Sequence, residues 1–323
     1  MNFFTPVKPA KPAFQIRYET KMVSIGSCFS ENIGKAFQKY KFDILINPFG
    51  QQYNPISIGN AVQRICDLKA YQDEELIYHH ELFHSFDHHS DFSRPGRSET
   101  IDLINCNLIE AHQRLKTADM VFLTFGTAHV FSSLDSGKIV SNCHKLPAAS
   151  FSKRMLEVSE IVDCLQQAIA RIKQLNPEIK VVITVSPVRY FAFGIEENTL
   201  SKSLLFVAIH QLLQVYPDLY YFPAYEIVMD ELRDYRFFSE DMLHPNHQAT
   251  RYVWEHLKQT LIEHSTCKTM EEVEEIIRAA HHKPRNPSSE AHKSFKIKYL
   301  EKISRLELNF PEMNFKLERK QLE

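Results

Sequence analysis

Short apolar runs alternate with longer amphipathic segments from about residue 20 to residue 264, and this pattern predicts an α/β fold. Two of the runs, DMVFLTF and IKVVITV, are apolar almost throughout, as in strands that helices cover on both faces. The alternation predicts a parallel sheet with right-handed crossovers. The predicted strands are residues 22–25, 42–46, 119–125, 179–185 and 219–222.

The amphipathic segments between these runs are predicted helices. Asn54 and Pro55 suit the N-cap and the first position of one of them. Another, at 155–175, has an apolar stripe that includes Leu156, Ile161 and Leu165. A hairpin is predicted over 129–141, turning at 134–137. The predicted helices are 29–40, 55–68, 101–116, 155–175, 200–216, 225–235 and 248–264.

Two stretches depart from this pattern. Residues 71–100 are rich in histidine and aromatic residues and are predicted to form an insertion over one end of the core. The composition shifts again beyond Ser265, where 269–281 and 294–306 are predicted to be exposed helices. We therefore expect one domain over residues 1–265 and a helical C-terminal appendage over 266–323.

The composition is that of an ordinary globular protein. The 323 residues are 44% hydrophobic and 24% charged, and a net charge of −2 gives no sign of a nucleic-acid or membrane-surface partner. No apolar run is long enough to span a membrane, and the N-terminus lacks the apolar core of a signal peptide. The six cysteines show neither zinc spacing nor a paired framework, so reduced thiols in the cytoplasm are expected.

Ligands of open parallel sheets bind beyond the carboxyl ends of the strands. The polar motifs of this chain cluster where those ends are predicted, which favours a site along one edge of the sheet. These segments are Gly26-Ser27-Cys28, residues 47–50, Gly126-Thr127, residues 186–189 and the region after Phe222.

The stretch KMVSIGSCFSENIGK is predicted to form a strand, a tight turn and the start of a helix. Glu31 falls in the first turn of that helix, where the dipole favours a negative charge. Cys28 begins the helix, where the same field lowers a thiol pKa and activates the thiolate as a nucleophile. The alternative is that Cys28 is a small buried hydrophobic residue, as many free cysteines are.

The segment Asp241-Met242-Leu243-His244-Pro245 follows the last predicted strand. Within a loop or a single turn, this spacing lets a carboxylate orient an imidazole while the other ring nitrogen faces a nucleophile. The alternative is a capped loop, in which Asp241 bonds the backbone and His244 lies at the surface.

Six motifs occur in order over roughly residues 20–260: IGSCFSENIG, NPFGQQYNP, LTFGTAHVF, NCHKLP, SPVRYF and EDMLHPN. Together they resemble the GSCFA family, a branch of the GDSL/SGNH hydrolase group. The resemblance implies a flavodoxin-like three-layer αβα sandwich with a five-stranded parallel sheet in the order 2-1-3-4-5. It also implies acyl-ester or acyl-transfer chemistry.

The resemblance assigns residues to that chemistry. Aligning GSCFSE with the GDSLTE motif of the wider group places Cys28 at the nucleophilic serine and Ser27 at the aspartate. Cys28 is therefore the expected nucleophile, with Ser27 as the alternative. His244 would be the general base and Asp241 its orienting partner. The oxyanion hole would use the backbone N–H groups of Cys28 and Gly50.

One feature of the wider group is missing. Its GxND motif after the third strand reads Gly126-Thr127-Ala128-His129 here, so the asparagine is absent. Asn142 is expected to replace it beside Gly126 if the predicted hairpin folds back.

Further polar residues are candidates for the wall of a substrate pocket. Arg189 would hold an anionic substrate group, or would form a salt bridge on the rim of the sheet. The candidate substrate-binding residues are Asn47, His89, Thr127, His129, His144 and Arg189.

Five histidines crowd one short segment. His80, His84 and His88 are spaced at i, i+4 and i+8, which on a helix would suit a metal ion, whereas an irregular loop would not. No metal or other cofactor is predicted, but a metal-dependent hydrolase is kept as an alternative. The full cluster is His79, His80, His84, His88 and His89.

Together with these motifs, the resemblance implies an acyl hydrolase or acyltransferase that acts on a small ester or thioester. The missing asparagine supports a second hypothesis, a binding module that keeps the pocket without the catalysis. The oligomeric state has no signal in the sequence.

Overall fold

The computed structural model describes residues 4–323. Five strands form a parallel sheet in the order β10-β9-β5-β1-β2. Counted along the chain within this sheet, that is the predicted order 2-1-3-4-5, so the flavodoxin-like α/β fold is confirmed. The strands are β1 Met22–Gly26, β2 Ile44–Ile46, β3 Leu76–His79, β4 Leu82–Ser85, β5 Met120–Phe125, β6 His129–Ser133, β7 Ile139–Val140, β8 Phe151–Met155, β9 Lys180–Val185 and β10 Tyr220–Tyr221.

Helices cover both faces of the sheet, and the short helix α6 continues directly into a π-helix over Ile227–Leu232. Within residues 4–323, no helix has the length and apolar character that crossing a membrane requires. The helices are α1 Cys28–Lys39, α2 Pro55–Asp67, α3 Arg97–Thr117, α4 Val158–Leu175, α5 Ile195–Val215, α6 Ala224–Glu226, α7 His247–Leu261, α8 His264–Ala280, α9 Glu290–Asn309 and α10 Lys316–Leu322.

Side chains of the central strands alternate between two hydrophobic clusters, as the two-residue period of a strand requires. Val23 and Ile25 of β1 join the cluster formed with α2, α3, α4 and α5. Met22 of the same strand points into the other cluster, with α1, α7 and the C-terminal helices. All residues of β1 and β5 are buried, which explains their almost uniformly apolar sequences.

The predicted hairpin is present, but it belongs to a larger sheet. Strands β6 and β7 pair in antiparallel fashion, with Phe131 opposite Val140. A third strand, β8, pairs with the other edge of β6, placing Met155 opposite His129. The helix predicted to begin at residue 155 therefore begins at Val158, because pairing with a distant strand decides the conformation of 151–155.

The C-terminal helices are not simply exposed. One face of each packs into the same cluster as α1 and α7, so the expectation of exposed helices is wrong for these faces. Lys41, just after α1, also forms a largely buried ion pair with Glu318 of α10 at 2.7 Å. The buried residues of this tail include Met270, Ile276, Ile303, Leu306 and Phe315.

If the tail is part of the core, a cavity made there will weaken the whole fold. Phe315 is 0% exposed, so Phe315→Ala is expected to lower the free energy of unfolding by about 3 to 5 kcal/mol in urea denaturation. Leu308, which is 81% exposed, is the matched control, and its change to alanine should cost about 0.5 kcal/mol or less. A main transition that Phe315→Ala leaves unchanged would show that the tail folds separately.

Candidate active site

The turn between β1 and α1 is set by a close contact with β5. A Cβ atom on Gly26 would lie 2.5 Å from the carbonyl oxygen of Thr124, so only glycine fits at the end of β1. The Gly26 amide donates to the side-chain oxygen of Asn47 at 2.9 Å. Ser27 is the N-cap of α1 and Cys28 its first residue. This turn brings Cys28 to the carboxyl edge of the sheet, as the sequence predicts.

The electrostatic surroundings of Cys28 differ from the prediction. Burial raises the pKa of its thiol, and the backbone N–H groups of Phe29 and of Cys28 itself offset only part of that rise. Glu31 raises the pKa further, whereas Lys202 lowers it. The expected activation by the helix field alone is therefore wrong, because desolvation outweighs it.

His244 and Asp241 form the predicted pair. Nδ1–H of His244 donates to Oδ2 of Asp241 at 2.6 Å. The other carboxylate oxygen accepts the backbone N–H groups of His244 at 3.0 Å and of Leu243 at 2.9 Å. The two backbone donors and the imidazole hold the pKa of Asp241 at about 2. An ionised carboxylate only accepts, so the hydrogen of this bond lies on Nδ1, and Nε2 is the ring nitrogen that is left for a second partner.

The loop that carries this pair is tied to the loop after β9. The Arg189 amide donates to the carbonyl oxygen of Leu243 at 3.0 Å, and the Ser239 amide donates to that of His244 at 2.8 Å. Asn246 then caps α7 by accepting the Ala249 amide at 3.1 Å. These bonds keep the imidazole beside the carboxyl edge of the sheet although its side chain is half exposed.

Cys28 and His244 line one cavity of about 410 Å³ at this edge. The structure brings most of the predicted site residues to the wall of this cavity. Asp241 does not line the cavity, but its carboxylate bonds Nδ1 of His244. The lining residues are Ser27, Cys28, Gln51, Tyr53, Asn54, Gly126, Thr127, His129, Phe131, Val140, Ser141, Ser186, Val188, Arg189, Tyr190, Leu243 and His244.

A match to a protein-family model shows which family the chain belongs to. The model described as "GSCFA family" matches residues 21–257. The chain belongs to the GSCFA family. A second model, "GSCFA domain protein, C-terminal domain", matches residues 273–323 of this GSCFA-family chain. No curated protein matches it.

Several solved structures are similar to this GSCFA-family chain at low identity. A Streptococcus pneumonia protein, whose description names platelet activating factor, is 15% identical and covers 75% of this chain and 83% of its own, with a TM-score of 0.41. A Bacteroides fragilis protein described as an acylhydrolase is 9% identical and covers 81% and 92%, with a TM-score of 0.40. A Clostridium thermocellum family 3 carbohydrate esterase is 12% identical and covers 78% and 97%, with a TM-score of 0.34. Scores this low carry no conclusion about function.

The predicted oxyanion donors other than Cys28 are wrong. The Gly50 amide donates to the carbonyl oxygen of Asn47 at 2.7 Å, and the Gly126 amide donates to that of Tyr53 at 2.7 Å. Asn142 lies off the cavity, where its side chain accepts the His144 amide at 2.8 Å. Neither Gly50 nor Gly126 has a free N–H group, and Asn142 does not replace the missing asparagine.

Three predicted substrate-binding residues also lie outside the 410 Å³ cavity. Asn47 lines a neighbouring cavity of about 480 Å³ and holds the Gly26 amide. His89 packs against Gly50. His144 is buried, where a ring nitrogen bonds the carbonyl oxygen of Ser85 at 2.8 Å and burial lowers its pKa to about 4. Thr127, His129 and Arg189 remain as candidates on the cavity wall.

The histidine-rich insertion forms the hairpin β3–β4 and not a helix. His80 lies in its turn, His84 lies on β4, and His88 stacks on Phe49 with its pKa lowered by burial to about 3. The helical metal-binding arrangement is therefore wrong. In the part of the chain that the structure describes, no three His, Cys, Asp or Glu residues are placed to hold a metal ion.

Some residues of the site had a usable signal that the sequence prediction missed. Tyr53 donates through its hydroxyl to Gln51 at 2.8 Å, and Gln51 donates to Glu31 at 2.6 Å. Burial, then the charges of Cys28 and Glu31, raises the pKa of Tyr53 to about 12. Both residues belong to the NPFGQQYNP segment and closely follow residues 47–50, which the rule on strand ends had selected.

Lys202 had no such signal, because it is one lysine within an apolar helix. It is only 2% exposed, and its Nζ donates to the carbonyl oxygens of Gly126 and Ser186, both at 2.6 Å. It therefore joins the ends of β5 and β9 beneath the cavity. Burial lowers its pKa to about 7, and Cys28 acts in the opposite direction.

This lysine makes stability depend on pH. Its folded-state pKa of about 7 lies below the ordinary value of 10.5, so the unfolded chain binds more protons between those values. The free energy of unfolding is therefore expected to rise with pH across that window, and Lys202→Met should remove this rise. Urea denaturation at intervals over the window would measure it, with the exposed Lys116→Met as the control. Wild-type and Lys202→Met curves that run parallel with pH would contradict the expectation.

Proposed function

We propose that this GSCFA-family chain is an acyl hydrolase or acyltransferase in which Cys28 is the nucleophile, His244 the general base and Asp241 its orienting partner. One observation carries the proposal: an imidazole already oriented by a carboxylate lines the same cavity as a cysteine at the first position of a helix. A small ester or thioester is the proposed substrate.

In the proposed reaction, Nε2 of His244 takes the proton from the Cys28 thiol as the sulfur attacks the acyl carbonyl carbon. The tetrahedral intermediate collapses to a thioester of Cys28, and His244 returns the proton to the leaving alcohol or thiol. Water or an acceptor then loses a proton to His244 and attacks the thioester carbon; the bond to sulfur breaks, and the Cys28 sulfur takes that proton back from His244. Asp241 stabilises the imidazolium in each half-reaction.

Because the pKa of Cys28 is raised, the proposed reaction needs His244 to remove the proton from the thiol. A thiol that is protonated at neutral pH has little thiolate of its own, so attack depends on proton removal by the base. Exchange of one thioester for another suits a thiol nucleophile at least as well as ester hydrolysis, because the bond formed resembles the bond broken. This favours transfer to a thiol acceptor as one form of the reaction.

The N-terminus of α1 supplies the proposed oxyanion stabilisation. The first amides of an α-helix have no carbonyl partner within the helix. At Cys28 and Phe29 these amides already act on the sulfur, where they favour negative charge. The same donors would meet an oxyanion that forms on a carbon bound to that sulfur.

Ser27 is the alternative nucleophile. It is 1% exposed, it lines the cavity, and its hydroxyl has no hydrogen-bond partner within residues 4–323. Cys28 is preferred because it is the more exposed of the two and carries the more nucleophilic atom.

A binding module is the second candidate function. It is favoured by the occupied amides of Gly50 and Gly126 and by the missing asparagine, which leave fewer oxyanion donors than the wider group implies. Such a module would bind an ester without turning it over.

Turnover of a short-chain thioester and of a p-nitrophenyl ester separates these candidates. Cys28→Ala is expected to abolish turnover, and His244→Ala to lower kcat by about 10² to 10⁴-fold, because the base is lost. Asp241→Asn should lower kcat less, since the imidazole remains. Ser27→Ala is the matched control in the same turn and should keep most of the activity. Circular dichroism of each variant checks the fold.

Other outcomes point elsewhere. Loss of turnover in Ser27→Ala with activity retained in Cys28→Ala would move the nucleophile to Ser27. Saturable binding of the ester without turnover in the wild type would favour the binding module. Activity that survives both Cys28→Ala and His244→Ala would overturn the triad.

A further inference from the structure

Arg189 lines the cavity, and its guanidinium group has no carboxylate partner among residues 4–323. No ion pair forms between Arg189 and any Asp or Glu of residues 4–323, so the salt bridge considered from the sequence is wrong. Its one side-chain hydrogen bond within that range is a long contact of 3.9 Å to the sulfur of Met229. Most of its five N–H donors are therefore available to a ligand.

Aromatic rings hold this guanidinium in place. Its central carbon lies 4.1 Å from the ring centre of Phe238 and 5.2 Å from that of Tyr235. The Arg189 backbone amide is bonded to Leu243, next to His244 in the chain. A stacked guanidinium loses little further freedom on binding, and its planar donors match two oxygens of an anion. Arg189 is thus built into the wall near the proposed base.

His129 adds a second polar group with no partner. It is 3% exposed and lines the same cavity, yet neither ring nitrogen has a hydrogen-bond partner within residues 4–323. Burial, and then the charge of Lys153, lowers its pKa, so the ring is neutral and offers one donor and one acceptor. A buried polar group left without a partner costs free energy, which a bound ligand would recover.

The other charges near His129 are of both signs. Glu197 has a carboxylate oxygen 3.6 Å from Nε2 of His129, but its side chain is 46% exposed and screened by water. Lys153 lies over the ring of Phe193, which in turn packs on His129. Neither Glu197 nor Lys153 lines the cavity, whereas Arg189 does, so a negatively charged ligand is favoured.

We propose that the substrate carries a negatively charged oxygen group, such as a carboxylate, which Arg189 binds while His129 bonds a second polar atom. This substrate class rests on the proposed function, but its test does not require turnover. Iodoacetate and iodoacetamide alkylate thiols with the same leaving group and almost the same size, and only iodoacetate is anionic. The ratio of their rates at Cys28 reports the preference of the cavity for a negative charge.

The two rates would be measured at each cysteine by mass spectrometry after brief treatment at fixed pH. In the wild type, the iodoacetate-to-iodoacetamide ratio at Cys28 is expected to exceed that at the exposed Cys106 by about threefold or more. Arg189→Met should bring the ratio at Cys28 down to that at Cys106. Arg189→Lys, which keeps the charge but loses the planar donors, should fall between them.

Arg236→Met is the matched control. Arg236 lies on the neighbouring loop, pairs with Asp234 at 3.2 Å and has a 73% exposed side chain, so its loss removes the same charge from the surface. The ratio at Cys28 should not change in this variant. A measurement on the wild type keeps the proposal testable even if the Arg189→Met variant does not fold. The iodoacetate-to-iodoacetamide ratio at Cys28 should fall as sodium chloride rises from about 0.01 to 1 M, because salt screens the charge of Arg189.

Turnover provides the second arm. A p-nitrophenyl monoester of adipate and p-nitrophenyl hexanoate have acyl chains of equal length. The adipate ester is expected to have the lower KM, and Arg189→Met should remove this difference.

Equal iodoacetate-to-iodoacetamide ratios at Cys28 and Cys106 would overturn the substrate class, while the triad could still pass its own turnover test. A Cys28 that neither reagent modifies would also overturn it, because Cys28 and Arg189 would then not share an open cavity. Equal KM values for the two esters would count against it in the same way.

Discussion

The site depends on how closely β1 and β5 approach at their carboxyl ends. At Gly26 a single added Cβ atom would lie 2.5 Å from the carbonyl oxygen of Thr124, so no larger residue fits unless the strands move apart. This contact sets the direction in which the chain leaves β1, and therefore where α1 begins and where Cys28 lies. The Asn47 side chain, which accepts the Gly26 amide, ties the end of β2 to the same turn.

Buried polar groups hold the rest of that edge. The ammonium group of Lys202 bonds one carbonyl from the end of β5 and one from the end of β9. Beside it, the Ser201 hydroxyl accepts the Ala128 amide at 2.7 Å. A buried charge without a carboxylate partner is unfavourable unless other groups satisfy it, and here two carbonyl oxygens do so. Breaking these hydrogen bonds would leave a buried ammonium group and buried carbonyl oxygens without partners. The bonds therefore keep Gly126 and Ser186 in one arrangement on the cavity wall.

Folding and the site are linked through the second hydrophobic cluster. The helix that starts at Cys28 buries its apolar face against α7, and the C-terminal helices pack into the same cluster. The loop with Asp241 and His244 leads directly into α7. Cys28 and His244 are therefore placed by helices that share one core, so the C-terminal residues contribute to the support of both.

The sequence by itself determined the strands of the central sheet, most of the helices around it and the candidate residues of the proposed triad. Strands such as β5 are apolar along their whole length, and α2 carries its own cap, so local pattern and the rule on strand ends singled out Cys28, Asp241 and His244 as candidates. The resemblance to the GSCFA family then gave them their expected roles. The tertiary structure decided the rest. Residues 151–155 form β8 because they pair with β6, whose residues lie 18 to 26 positions earlier in the chain. The amides of Gly50 and Gly126 are occupied by particular carbonyl oxygens, burial raises the pKa of Cys28, and Lys202 lies beneath the site. Each of these four features depends on which distant groups come into contact and on how much water they exclude. The periodicity of apolar residues along the chain does not contain this information.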